Sequence, residues 1–181
     1  MQRAKIANAL SFNLCWFAIV MTQSSIIAPV ILVVYLWAHF AFLGSGKSEL
    51  LLIAMVAVIG AVLDQLLFLF GVFNLEGQPA MAPLWLTCLW PVFATTLLHA
   101  FEFLRGRVYL AAGLGALSGA LSYIAGARLT VVDFGSPLWG PVVIGVMWAV
   151  LFPWLLKLST RFTGVRDPLQ SWEPAARRAY D

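Results

Sequence analysis

Few residues in this chain can do chemistry, and each stands out against apolar neighbours. Asp64 lies in GAVLDQLLFLFGVF, His39 in VVYLWAHFAF, and His99 and Glu102 in ATTLLHAFEFL. A carboxylate inside such a run costs about 2.5–3.5 kcal/mol on membrane-insertion scales, so Asp64 is expected to face other helices and not lipid. With helices rising about 1.5 Å per residue, Tyr123 lies at the depth of Asp64, Thr87 slightly further out, and Arg128 at the outer end of its segment. Tyr123 can donate a hydrogen bond to the acid and Arg128 can reach down to it. Trp85 and Trp90 would supply apolar walls. This outer layer reads as a recognition point for a ligand, as a proton relay, or as a staple between two helices.

A second, inner layer contains Asn13, His39, His99 and Glu102. His99 and Glu102 are three apart, on one face if the segment is helical, and Arg105 would continue that face towards a Glu102–Arg105 pair. Two histidines at similar depth on different segments raise haem ligation through His39 and His99; independent hydrogen bonding is the plainer reading. No nucleophile–base arrangement and no metal-ligand run occurs, so no residue is assigned to catalysis or to a metal. Cys15 and Cys88 form no CxxC and read as small hydrophobes. Residues 41–48 (AFLGSGKS) fit a relaxed phosphate-loop pattern, but no strand or sheet can precede them. Ser48 as a helix cap and Lys47 as a loop charge explain them better.

The elements that position these residues are helices in lipid. The 181 residues are 62% hydrophobic and only 10% charged, with mean hydropathy +0.91. A soluble domain is about a quarter charged, and a chain this small has too little interior to bury so much apolar surface. Six apolar stretches run over Ile6–Thr22, Ile26–Leu43, Leu50–Phe73, Pro83–Leu104, Val108–Ala127 and Leu138–Leu158. They lack the two-residue alternation of a membrane barrel, so helices are expected. The N-terminal run lacks an A-x-A-like cleavage site and reads as a retained first span.

Ten of the eleven Lys and Arg fall before span one, between two and three, between four and five, or after six; only Arg128 lies on the other side, with Glu76 and Asp133. The fold expected is therefore all-α and polytopic: a six-transmembrane-helix bundle over residues 1–158, both termini cytoplasmic, and a basic cytoplasmic tail over 159–181. In that tail Asp167-Pro168 would cap a short helix, and Trp172 with Arg177-Arg178 would rest on anionic headgroups or be solvated. Trp85 and Trp139 would mark the outer interface, Trp37 and Trp154 the inner one. Pro91 and Pro153 should kink spans four and six. Gly115 and Gly119 form a small-xxx-small pair on span five, suited to the centre of the bundle or to a homo-oligomer or membrane-partner seam. The net charge of +3 is explained by loop placement, and nucleic acid is not an expected partner.

Spans three to five together resemble a family of small multi-pass bacterial inner-membrane proteins known as domain-of-unknown-function family 2878. The resemblance rests on Asp64 and Gly71, Pro83-Leu84-Trp85, Leu89-Trp90, Phe93 and His99, and Tyr123 with Gly126-Ala127-Arg128. Asn13 to Trp16 add a fainter match, and Thr130 stands where a small residue is expected. The resemblance implies a bacterial inner-membrane protein and, through neighbouring fatty-acid genes, work connected with lipids. The leading expectation is a bundle that binds a lipid or small amphiphile at Asp64, Tyr123, Arg128, Thr87, Trp85 and Trp90. A small-molecule transporter or its substrate-capturing subunit, and a structural subunit of a membrane complex, are the alternatives; an intramembrane enzyme at His99 and Glu102 ranks below them.

Overall fold

The structure, a computed structural model, describes residues 2–162 apart from 76, 78 and 79. Glu76 and the tail features at Asp167-Pro168, Trp172 and Arg177-Arg178 lie outside the described residues. Helices α1 (Gln2–Thr22), α2 (Ile27–Phe42) and α3 (Lys47–Leu69) are followed by strand β1 (Phe73–Leu75). Then come α4 (Leu84–Thr87), α5 (Leu89–Leu97), a 3-10 turn at Glu102–Leu104, α6 (Val108–Leu129), strand β2 (Val132–Phe134) and α7 (Trp139–Ser159).

Four of these helices, α1, α3, α6 and α7, are long and apolar enough to cross a membrane. The other two apolar segments are shorter: α2 has 16 residues, and Leu84–Leu97 is interrupted at Cys88. The interruption has a local cause. Pro91 has no N–H to give the Thr87 carbonyl and its ring crowds that turn, so the helix breaks just before it. Pro153, by contrast, stays inside a continuous α7.

Large apolar side chains such as Leu14, Val33, Trp37, Val58, Leu117 and Val146 are exposed, while polar Asn8, Glu49, Asp64 and Thr95 are fully buried. That inversion is expected of helices whose outer surface meets acyl chains. The centre of the bundle is α5, not the small-residue helix α6. From Trp90 to Leu97 every α5 residue except Phe93 is buried, whereas α6 buries only Ala111, Gly115 and Gly119. Those two glycines serve α7: a Cβ on Gly115 would stand 2.7 Å from the Trp148 carbonyl oxygen, and one on Gly119 would strike the Trp148 ring. A glycine pair of this kind accommodates one close neighbour, which leaves the rest of α6 uncovered.

The helix ends gather at two poles. At one, β1 pairs antiparallel with β2 (Phe73 opposite Phe134, Leu75 opposite Val132), joining the loops after α3 and α6. The Gln23 amide closes the same pole, donating to the Leu129 carbonyl at 3.2 Å and accepting the Val131 N–H at 3.0 Å. At the other pole Lys5 meets Glu102 at 2.8 Å, tying the start of α1 to the turn after α5. The Lys5 ammonium holds the Glu102 carboxyl below the usual carboxylate range.

Candidate functional site

Asp64 is fully buried on α3, one turn after Gly60. A Cβ at Gly60 would land inside the Trp90 indole, so the missing side chain is what admits the ring. Seated there, Trp90 donates its Nε1–H to Asp64 Oδ2 at 2.8 Å. Tyr123 on α6 donates a longer bond, 3.5 Å, to Oδ1. The carboxyl thus joins α3, α5 and α6 through two aromatic donors. Arg128 is exposed and has no ion pair with Asp64, so it is not part of this node; it lies more than a helical turn beyond Tyr123, at the end of α6. Thr87 is half-buried at the end of α4 and makes no side-chain hydrogen bond to the carboxyl.

Beside the node runs a cavity of about 500 Å³. Its walls are aromatic: Trp85, Trp90, Phe93, Tyr123, Trp148 and Phe152. Trp90 stacks on Trp148 with centroids 5.4 Å apart and planes 7° from parallel, and Phe93 packs edge-on against Trp148 at 5.1 Å. Trp85 is buried in this wall instead of standing at an interface, while Trp37, Trp139 and Trp154 are exposed as an aromatic belt requires. Along α6 the lining extends from Gly115 to Ala127, about 18 Å at 1.5 Å per residue. Asn13 on α1 and Ser118 and Ser122 on α6 are exposed and line the same cavity, so its mouth lies between the middles of these two helices. Asn13 Nδ2 donates to the Ala9 carbonyl at 2.8 Å and Ser118 Oγ to that of Leu114 at 2.5 Å. Asn13 and Ser118 are thus satisfied by their own helices, as a lipid-facing position demands.

A second polar cluster lies at the Lys5–Glu102 pole. His39 Nε2, at the end of α2, and His99 Nε2, after α5, each stand 2.8 Å from the same Oε1 of Glu49. Glu49 belongs to the first turn of α3, and its Oε2 accepts the Ser45 N–H at 2.6 Å. The N-cap of α3 is Gly46, and Glu49, three residues on, reaches back to the N–H just before the cap; Ser48 is not the cap. An ionised carboxylate only accepts, so each imidazole donates from Nε2. The space between the two nitrogens, where a shared haem iron would sit, holds a carboxylate oxygen. These two histidines and the glutamate are a group able to hold a metal ion.

The profile of the family described as "Protein of unknown function (DUF2878)" matches residues 5–154. The chain belongs to that family. No curated protein and no solved structure matches it. Membership in DUF2878 covers α1 to most of α7, so both polar clusters and the cavity lie within the matched region.

Of the residues expected at the outer layer, Asp64, Tyr123 and Trp90 come together, and Tyr123, Trp90 and Trp85 line the cavity. Of the inner layer, His39 and His99 converge, while Glu102 and Asn13 do not join them. The turn after Leu97 destroys the helical spacing that placed Glu102 beside His99, and Glu102 pairs with Lys5 and not Arg105. Arg105 donates from Nη2 to the Leu97 carbonyl at 3.1 Å. Asn13 faces outward, and Asn8 takes the interior position. Asn8 Nδ2 donates to the Thr95 carbonyl at 3.4 Å, its Oδ1 accepts the Ala100 N–H at 3.3 Å, and Tyr35 Oη meets Thr95 Oγ1 at 2.8 Å. Glu49, Asn8, Tyr35 and Thr95 were not singled out by sequence reasoning. For Glu49 a signal existed: an acid three residues into a helix after Gly46, within ten residues of a histidine.

Proposed function

We propose that this protein binds a lipid or small amphiphile in the cavity between α1, α5, α6 and α7. The observation that carries the reading is a cavity of about 500 Å³ with aromatic walls and a mouth at the middle of two spans. Small-molecule sites fall in about the same range, 300–1,000 Å³, and are mostly apolar with a few placed polar groups. A mouth at mid-span would open on acyl chains, and an elongated aromatic slot suits a hydrocarbon tail. Asp64 acts one step back from the ligand. It anchors Trp90 and Tyr123, which form the wall.

The same reading takes the chain as a six-pass protein of the bacterial inner membrane with both termini cytoplasmic. The gathering of helix ends supports it. Ends of α1, α3 and α6 share the hairpin pole, while the start of α1, the end of α2, the start of α3 and the turn after α5 share the other. Such alternation arises when α2 and α4–α5 also traverse the bundle. Lys5, Lys47, Arg105, Arg107 and Lys157 then lie on one side, as the positive-inside bias requires.

The test is native mass spectrometry of protein purified with its lipid. Gly126 lines the cavity and has open space where a Cβ would stand; Gly113, also open, does not line it. Wild type and Gly113→Leu should carry the same bound amphiphile, and Gly126→Leu should lose it. Equal retention by Gly126→Leu would overturn the reading.

A further inference from the structure

The cluster at the Lys5–Glu102 pole is built from three pieces of chain that meet only in the fold. His39 ends α2, Glu49 begins α3, and His99 lies in the turn that follows α5. One ligand atom from each falls within 4.8 Å of the others. Glu49 is completely buried and His39 nearly so, while the His99 side chain keeps 14% of its surface exposed. A buried carboxylate held by two imidazoles is costly to assemble unless its charge is matched.

We propose that His39, Glu49 and His99 bind a divalent transition-metal ion of the zinc type. Imidazole nitrogen and carboxylate oxygen are the donors such ions prefer, and two His with one Glu leave coordination positions open. Metal–ligand bonds of about 2.0–2.1 Å set tetrahedral ligand atoms about 3.3 Å apart. The Nε2–Oε1 separations of 2.8 Å need widen by only about half an ångström to meet this. One cation in place of the two Nε2 protons would lie among the three ligand atoms, with each imidazole turned from Oε1 towards that shared centre.

The surroundings hold the ligands in place by one hydrogen bond and by ring packing, while His39 Nδ1 is buried without a hydrogen-bond partner among the described residues. The Ser45 N–H occupies Glu49 Oε2 and leaves Oε1 directed at the histidines. His39 lies nearly parallel to Tyr35, planes 20° apart, and edge-on to Phe40 at 5.4 Å. The exposed edge of His99 gives an ion a way in from the pole that carries Lys5 and Glu102. This site stands apart from the amphiphile reading, because Asp64, Trp90 and Tyr123 take no part in it.

The experiment uses the full chain in detergent, treated with a chelator and then titrated with CoCl2 or ZnCl2. Wild type should take up one ion per chain, give a cobalt d–d absorption of nitrogen–oxygen ligation, and unfold at a higher temperature with zinc. Loss of a supporting outer-shell group typically weakens a site about 10–100-fold, so removing a ligand should cost at least that much. Glu49→Gln and His39→Ala test the buried ligands. His99→Ala, at the partly exposed position, decides the matter where the buried variants fail to fold. No stoichiometric binding by folded wild type, or unchanged affinity in folded His99→Ala, would overturn the proposal. So would a thiolate-to-cobalt charge-transfer band, which would put the ion on Cys15 or Cys88.

Discussion

Trp90 and Asp64 form one unit: the indole fills the notch left by Gly60 and donates to the carboxyl one turn further along α3. Removing the acceptor leaves a buried N–H without a partner, which costs about 1–3 kcal/mol. Asp64→Ala should therefore destabilise the bundle by about that amount. Asp64→Asn, which keeps a carbonyl oxygen, should lose less. Unfolding in mixed micelles, followed by tryptophan emission, distinguishes the two. Equal losses would mean that the carboxyl charge, and not its acceptor oxygen, matters for stability.

The two ends of the α6 glycine series should respond with opposite sign. At Gly119 a methyl group meets the Trp148 ring, and overpacking of this sort costs about 1–3 kcal/mol. At Gly126 the same methyl group enters open space, and alanine is about 1 kcal/mol better than glycine inside a helix. Gly119→Ala should lower the thermal midpoint and Gly126→Ala should hold or raise it. If both fall, the cavity beside Gly126 closes in the folded protein.

How much of this was legible in the chain depends on contrast. Asp64 and Tyr123 were readable because an acid and a phenol at one depth have few other partners. Trp90 was taken as an apolar wall, since hydropathy says nothing of where an indole N–H points. Asn8 and Asn13 could not be told apart: in a lipid-facing helix both faces of α1 are apolar, and no stripe marks the inside. Glu49 was not singled out, because attention in that loop went to Lys47 and Ser48. The strands Phe73–Leu75 and Val132–Phe134 are three residues each, too short for any alternation to register. At Pro91 a kink was expected, not the break into two helices nor its consequence, a centre made by the short helix α5.

The Lys5–Glu102 pair should matter little and in a defined pH window. Both side chains are more than a third exposed, so the pair contributes no more than about 1 kcal/mol. Because Lys5 depresses the Glu102 carboxyl, the contribution is complete above the ordinary value of 4.5 and disappears as pH falls through the lower folded value. Glu102→Gln should cost about 1 kcal/mol or less at pH 7, and nothing once wild-type Glu102 is itself protonated. High salt should shrink the difference at pH 7. A loss that persists in acid would assign Glu102 a role other than pairing.

Topology can be tested by the pairing of loops. The hairpin joins the segments after α3 and α6, so cysteines placed at Gly77 and Ser136 must react from the same side of the membrane. On the six-pass reading proposed above, Gly46 and Gly106 lie on the opposite side. In intact cells an impermeant maleimide should label Gly77→Cys and Ser136→Cys, while Gly46→Cys and Gly106→Cys should react only after lysis. The native Cys15 and Cys88 are buried and should contribute little background. The discriminating position is Gly46, between α2 and α3. With 16 residues, α2 reaches about 24 Å at 1.5 Å per residue, short of a hydrocarbon core of about 30 Å. If α2 did not cross, Gly46→Cys would label from outside and, because α3 spans, Gly77→Cys would not. The buried Glu49 cluster would then lie on the wrong side for the positive-inside arrangement of Lys5 and Arg105. Protection of Gly46→Cys in intact cells requires α2 to traverse, with the bilayer thinned locally around it.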